Sequence, residues 1–132
     1  MTPLYAELHH WQITEHEWGY FDCFLAPCHW VAWQRGFDPA AEVRGTYGNP
    51  DRCPVGRDLL THAEIHARRA LAPLQTVGEA IPGDVALLRL PRHRFLCGAL
   101  KLDGRNWAMK TKERSVIVTR VGTPVVIWRV QQ

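Results

Sequence analysis

The sequence predicts an α+β domain, with helices in its first half and strands in its second. Three observations carry that reading. Helix caps and stops recur through the first 75 residues, as in Thr2-Pro3 and Asp22…Gly36. From Gly83 onward the chain breaks into short β-like runs. Asp103-Gly104, between two of those runs, is a strong hairpin signal. Helices followed by strands argue for a largely antiparallel sheet, here of about five strands, packed against the helices.

The elements follow in order. Thr2 reads as an N-cap and Pro3 as the first helical residue, opening a helix over about 3–12. "FDCFLAPCHWVAWQRG" reads as a second helix, capped by Asp22 and stopped by Gly36. Phe24, Cys28 and Val31 recur at helical spacing as a buried stripe. Pro27 lacks the N–H that would bond the Cys23 carbonyl, so the first turn is distorted or the regular helix starts later. "FDPAAEVRG" predicts a short third helix with Asp38 as cap and Pro39 at its first position. "YGNPDRCPVG" is a loop by composition. "LTHAEIHARRALAPL" predicts a fourth helix, with Thr61 and Glu64 as a capping box and Leu60 and Ile65 as a hydrophobic staple. The expected strands are "DVALLRL", "RFLCGALKL", "RNWAMKT", "SVIVTRV" and "PVVIWRV". The last is apolar on both faces, as suits a buried central strand or one that meets a partner.

At 132 residues, with no internal repeat or low-complexity linker, the chain reads as one domain over 1–132. No apolar run approaches the roughly 18 residues of a membrane span. The N-terminus lacks a basic segment followed by an apolar core, so no signal peptide is expected and the chain is expected to be made in a cytoplasm. The net charge of +3 is scattered, without the block of like charges that a nucleic-acid tail would show. Without a secretory signal, cysteines 23, 28, 53 and 97 are expected to be free thiols.

Five stretches, taken together, resemble a known family. They are Trp18-Gly19 with Asp22-Cys23, "DPAAEVRGTY" at 38–47, "GDVALL" at 83–88, Gly98 within "FLCGAL", and "WRV" at 128–130. In this order they resemble the NlpC-type cell-wall cysteine peptidases, and more narrowly an uncharacterised phage- and prophage-encoded branch of that group. The resemblance covers nearly the whole chain. It implies a compact papain-like fold with a nucleophilic Cys after an Asp at a helix start. It also implies a phage tail-tip component that is, or descends from, a peptidoglycan endopeptidase. Such a protein would cleave cell-wall peptide amide bonds during DNA delivery. It would be made in the host cytoplasm and carried in the virion tail, beside hub, central-fibre or tape-measure proteins.

A cysteine peptidase needs a thiolate, an imidazole base, a group that orients the base and donors for the oxyanion. Cys23 occupies the nucleophile's position, and a helix N-terminus favours its thiolate. Backbone N–H groups of the same turn are candidates for the oxyanion. The resemblance places the base two residues before the central Gly98, where this chain has Leu96. The nearest histidine is His93, whose odd offset points it to the other face of a strand unless the loop bends. Asn106 and Lys110 are the polar candidates for orienting it. Trp18 and Trp107 are candidates for lining a substrate groove, against core packing as the plainer use.

Two other readings stand beside the enzyme. One is a non-catalytic structural or assembly component that binds hub or fibre proteins through a Trp-rich surface and a sheet edge. The other is a metal module in which Cys23, Cys28, Cys53 and Cys97, with His29, His62 and His66, hold zinc or an iron–sulfur cluster. Against it, the cysteine spacings match no known finger, "HAEIH" is not the HExxH order, and Cys28 and Cys97 fall in apolar runs. His62 and His66 read as part of a solvated helix face. Otherwise no cofactor is implied. Asp22 reads as an N-cap, and Asp84 as the residue that fixes the turn into its strand.

Overall fold

The computed structural model describes residues 2–49 and 62–131. It is α+β, as the sequence predicts. Three helices, α1 (Pro3–Ile13), α2 (Leu25–Arg35) and α3 (Ala63–Ala70), precede strands β1 (Thr76–Val77), β2 (Val85–Arg89), β3 (Cys97–Lys101), β4 (Trp107–Lys110), β5 (Val116–Thr119) and β6 (Thr123–Trp128). The strands form one six-stranded sheet in the order β1-β6-β2-β3-β4-β5, and every pair is antiparallel. All five expected strands are present, and the two-residue β1 is the addition.

Local chemistry explains the element ends. Thr2 Oγ1 accepts the Tyr5 N–H at 3.3 Å and Pro3 sits in the first turn, so α1 starts where the cap signal placed it. Gly36 ends α2 in the left-handed conformation (φ 78°), its N–H reaching the Ala32 carbonyl. The Asp103-Gly104 turn joins β3 to β4, with Gly104 at φ 63° and Leu102 N–H donating to the Asn106 carbonyl.

Two expectations are corrected. The segment after Asp38 is a chain of turns rather than a third helix. Asp38 Oδ1 does accept the Ala40 N–H, but the turns of 39–45 close mostly through i to i+3 bonds and Gly45 at φ 74° ends the run, too short to offset helix nucleation. The expected fourth helix is α3, capped at His62 without a side-chain bond; the proposed Thr61 box and Leu60 staple lie outside the described residues.

The sheet carries apolar side chains on both faces. One face packs under the helices, where Val85, Leu87, Leu96, Leu100, Val126 and Trp128 meet Leu8, Trp11, Trp30 and Val31. The other gathers Ala86, Leu88, Leu90, Ala99, Trp107, Met109 and Ile127. The expected Trp-rich surface is absent among the described residues. Trp11, Trp30, Trp107 and Trp128 are buried, Trp18 is half-buried, and Trp33 alone of the six is largely exposed. Burying these rings places their large apolar area in the cores.

Candidate functional site

The site begins with Asp22, which is fully buried. Its Oδ1 accepts the N–H groups of Phe24 and Leu25, both at 2.9 Å. Its Oδ2 accepts Gly19 N–H at 3.0 Å and the Tyr47 hydroxyl at 2.6 Å. Ala26 N–H donates to the Asp22 carbonyl at 2.9 Å. Asp22 therefore caps the turn that leads into α2, while regular helix begins later, at Leu25. The delay follows from Pro27, which leaves the Cys23 carbonyl without a helical donor.

That carbonyl faces β3. A β-carbon on Gly98 would lie 2.5 Å from the Cys23 oxygen and 3.3 Å from Pro27 Cγ, so only glycine lets the turn approach the strand. Leu96, two residues earlier, is buried among the apolar side chains under the helices.

The other quoted stretches interlock around this turn. Gly45 N–H donates to the Gly19 carbonyl at 2.7 Å, and a β-carbon on Gly19 (φ 86°) would fall 1.9 Å from the Tyr47 carbonyl oxygen. Arg44 pairs with Asp38 at 3.0 Å and donates to the Tyr20 carbonyl. Gly83-Asp84 and Arg129 form a second junction. Buried Asp84 accepts Ile81 N–H through Oδ2 and Arg129 Nε through Oδ1, both at 2.9 Å. Trp30 Nε1 donates to the Gly83 carbonyl at 2.8 Å, tying α2 to the same turn.

Electrostatics at Cys23 oppose a thiolate. The side chain is partly buried. Burial, then the Asp22 charge, then Cys97 push its thiol well above the usual range, outweighing the Cys23 and Phe24 N–H groups that favour the anion. Its neighbour Cys28 donates to the Phe24 carbonyl at 3.4 Å and is pushed up to about 12, mainly by burial. Burial and then Asp22 also raise the Tyr47 hydroxyl, which stays a donor.

Apart from Trp18, the other candidates lie away from this turn. His93 is exposed between β2 and β3, where its backbone N–H donates to the Leu90 carbonyl. Among the described residues no hydrogen bond joins Cys23 to an imidazole. Asn106 is engaged through its backbone in the β3–β4 turn. Lys110 is buried, and its Nζ donates to the carbonyls of Trp11, Thr14 and Glu113 at 2.6, 2.6 and 2.9 Å, leaving it no role at Cys23. Trp107 lies in the second core rather than in a groove. Trp18 packs against Tyr47 and lies edge-on to His16 at 4.6 Å.

Among the described residues no three His, Cys, Asp or Glu side chains gather to hold a metal ion. Cys53, the fourth proposed thiolate, lies outside the described residues. His66 is turned into a cleft of about 350 Å³ bounded by α2, residues 38–47, α3 and the sheet, rather than onto a solvated face. Cys28 lines the same cleft.

One cluster escaped the sequence reading. Buried Glu7 accepts Trp11 Nε1 at 2.7 Å, and its Oε2 lies 2.8 Å from His29 Nδ1. His29 stacks on His10 with centroids 4.3 Å apart, and Phe21 lies edge-on to His10 at 5.3 Å. The local signal was the helical spacing of Glu7, His10 and Trp11 on α1; His29 and Phe21 come from α2 and the segment before it.

A family model described as a domain of unknown function, DUF6950, matches residues 2–130. The chain belongs to the DUF6950 family. No curated protein and no solved structure matches it. In this DUF6950 chain the signature-like residues Gly19, Asp22, Tyr47, Asp84 and Arg129 all hold backbone segments together. No helix among the described residues is long and apolar enough to cross a membrane.

Proposed function

We propose that this DUF6950 chain is a non-catalytic binding and assembly component of a phage or prophage tail tip, built on a papain-like scaffold of NlpC type. The scaffold reading is supported by a cysteine-bearing turn at the start of α2 packed against a strand glycine, Gly98. The tail association is supported by the resemblance of the quoted motifs, and its partners are hub, central-fibre or tape-measure proteins.

The observation that carries the non-catalytic reading is the occupancy of the Cys23 turn. Phe24 and Leu25 N–H groups, two of the turn's candidate oxyanion donors, are both bound by the Asp22 carboxylate. An acyl oxyanion at these two groups would meet the Asp22 carboxylate instead of free donors. The neutral thiol beside them and the apolar Leu96 support the same conclusion.

A second reading keeps Cys23 as a working nucleophile, favoured by its position beside Gly98. Peptidoglycan hydrolysis, followed as release of soluble muropeptides, separates the two. The expected result is no release by the wild type or by Cys23→Ala. Release by the wild type that is lost in Cys23→Ala establishes a peptidase and overturns the proposal.

A further inference from the structure

The end of the sheet where β2 passes to β3 gathers basic side chains. Residues 89–95 read Arg-Leu-Pro-Arg-His-Arg-Phe and contain no acid. Arg89, Arg92, His93 and Arg94 are exposed, while Leu90 is buried and Phe95 half-buried. Pro91 and Arg92 (φ 65°) lie within a tight turn, closed by His93 N–H donating to the Leu90 carbonyl at 3.2 Å. A second segment reaches the same end. Arg89 stands opposite Thr123, and a β-carbon on Gly122 would lie 2.8 Å from Leu88 Cδ1 and 3.1 Å from Leu90 Cδ2. Exposed Arg120, two residues before Gly122, is thereby carried to the same rim. In the sequence these charges are interrupted and split between two segments, so they form no block; the sheet brings them together.

No carboxylate offsets this rim. Among the described residues Arg44, Arg68, Arg114 and Arg129 each pair with an acid, whereas Arg89, Arg92, Arg94 and Arg120 make no ion pair. These four exceed the net charge of the whole chain, +3, so its positive excess sits here. We infer that the rim binds the phosphodiester backbone of duplex nucleic acid without reading its sequence. The charge selects a polyanion. That all four cations are arginine favours phosphate, which a guanidinium fork engages through two parallel N–H bonds. An anionic membrane fits less well, because Leu90 is buried, Phe95 is half-buried beneath Arg94 at 5.3 Å, and Val121 is the one well-exposed aliphatic side chain at the rim. A single strand fits less well too, because the rim exposes no large aromatic ring on which bases would stack.

The test is fluorescence anisotropy of a short labelled DNA duplex of mixed sequence, titrated with the full chain across a series of KCl concentrations. For the wild type, log Kd is expected to rise against log salt with a slope of roughly 3–4, about 0.9 for each arginine that meets a phosphate. Arg92→Gln combined with Arg94→Gln is expected to raise Kd roughly 50-fold at about 0.1 M salt and to lower the slope by about 2. Arg120→Gln, from the other segment, is expected to lower it by about 1. Arg105→Gln is the control: Arg105 is exposed and without an ion pair among the described residues, but lies in the β3–β4 turn at the opposite end of the sheet, and neither Kd nor slope should change. All these positions are exposed, so circular dichroism and the thermal midpoint should match the wild type. A wild type that leaves the duplex unbound at low salt overturns the inference. So does binding that survives the double variant, or that falls equally in Arg105→Gln. Tighter binding to the single strand, to polyglutamate or to phosphatidylglycerol vesicles assigns the rim to that partner instead and overturns the duplex. None of these outcomes depends on muropeptide release, so this inference and the proposed function stand or fall separately.

Discussion

The carbonyl oxygen of Cys23 would lie 2.5 Å from a β-carbon placed on Gly98. The obstructing atom is backbone on a turn clamped by Asp22, so it has little freedom to retreat. Gly98→Ala is therefore expected to destabilise the domain by about 1–3 kcal/mol, the range of overpacked cores. Gly78→Ala, where a β-carbon meets nothing within 4 Å, serves as the control and should leave stability nearly unchanged. Urea unfolding of both variants measures the difference, and equal midpoints would refute a tight turn–strand contact.

Asp22 has two separable effects. Its carboxylate accepts four donors, so Asp22→Asn should cost about 2 kcal/mol, as hydrogen bonds to a charged group weaken. Removing its charge also removes the second-largest cause of the raised Cys23 pKa. Site-resolved alkylation across pH, read by mass spectrometry, should show Cys23 in the variant reacting at lower pH than in the wild type. A wild-type Cys23 already reacting at its maximal rate at neutral pH contradicts the neutral thiol.

The His10 ring gives stability a dependence on acid. Burial first, then the charges of His29 and Lys110, hold its pKa below the usual 6.5, while Glu7 opposes the shift. His16 is lowered too, mainly by burial. For a group with a depressed folded pKa, the unfolded chain takes up the proton first. The stability is therefore complete above pH about 6.5 and is lost as pH falls through the folded value. Urea midpoints should drop across that window, and His10→Phe, which keeps a ring against His29, should shallow the drop. An unchanged slope in the variant would assign the acid sensitivity elsewhere.

Asp84 and Arg129 join the entry of β2 to the residue after β6. Asp84 is buried and Arg129 is partly exposed, with side-chain exposures of 1% and 29%. Arg129→Leu leaves a buried carboxylate with only the Ile81 N–H, and a loss of about 2–4 kcal/mol is expected, trimmed by the solvent near Arg129. Adding Asp84→Asn should recover part of that loss. A double-mutant cycle in thermal denaturation measures the coupling, and strict additivity would mean that the pair contributes nothing.

Much of the architecture was legible because its signals are local. Caps, an Asp-Gly turn and period-two apolar runs act over a few residues, and the helices and strands they mark are present. The segment after Asp38 shows the limit: it carries helix-start chemistry, but Gly45 follows too soon for a helix to grow. Glu7, His10, His29 and Lys110 illustrate the harder case. Their partners come from α1, α2 and β4, so no short stretch contains the cluster.

The sequence by itself determined the α+β class, the strand segments, the cap at Asp22 and the lack of a histidine at Leu96. These follow from side-chain chemistry acting on its own neighbourhood. Only the tertiary structure decided what the cysteine turn is bound to. Tyr47 reaches Asp22 from 25 residues away, Gly98 admits the Cys23 carbonyl from another element, and burial by the assembled fold keeps the thiol protonated. Burial and long-range hydrogen bonds arise from chain segments meeting in space, so the state of Cys23 is a property of the fold rather than of the motif that contains it.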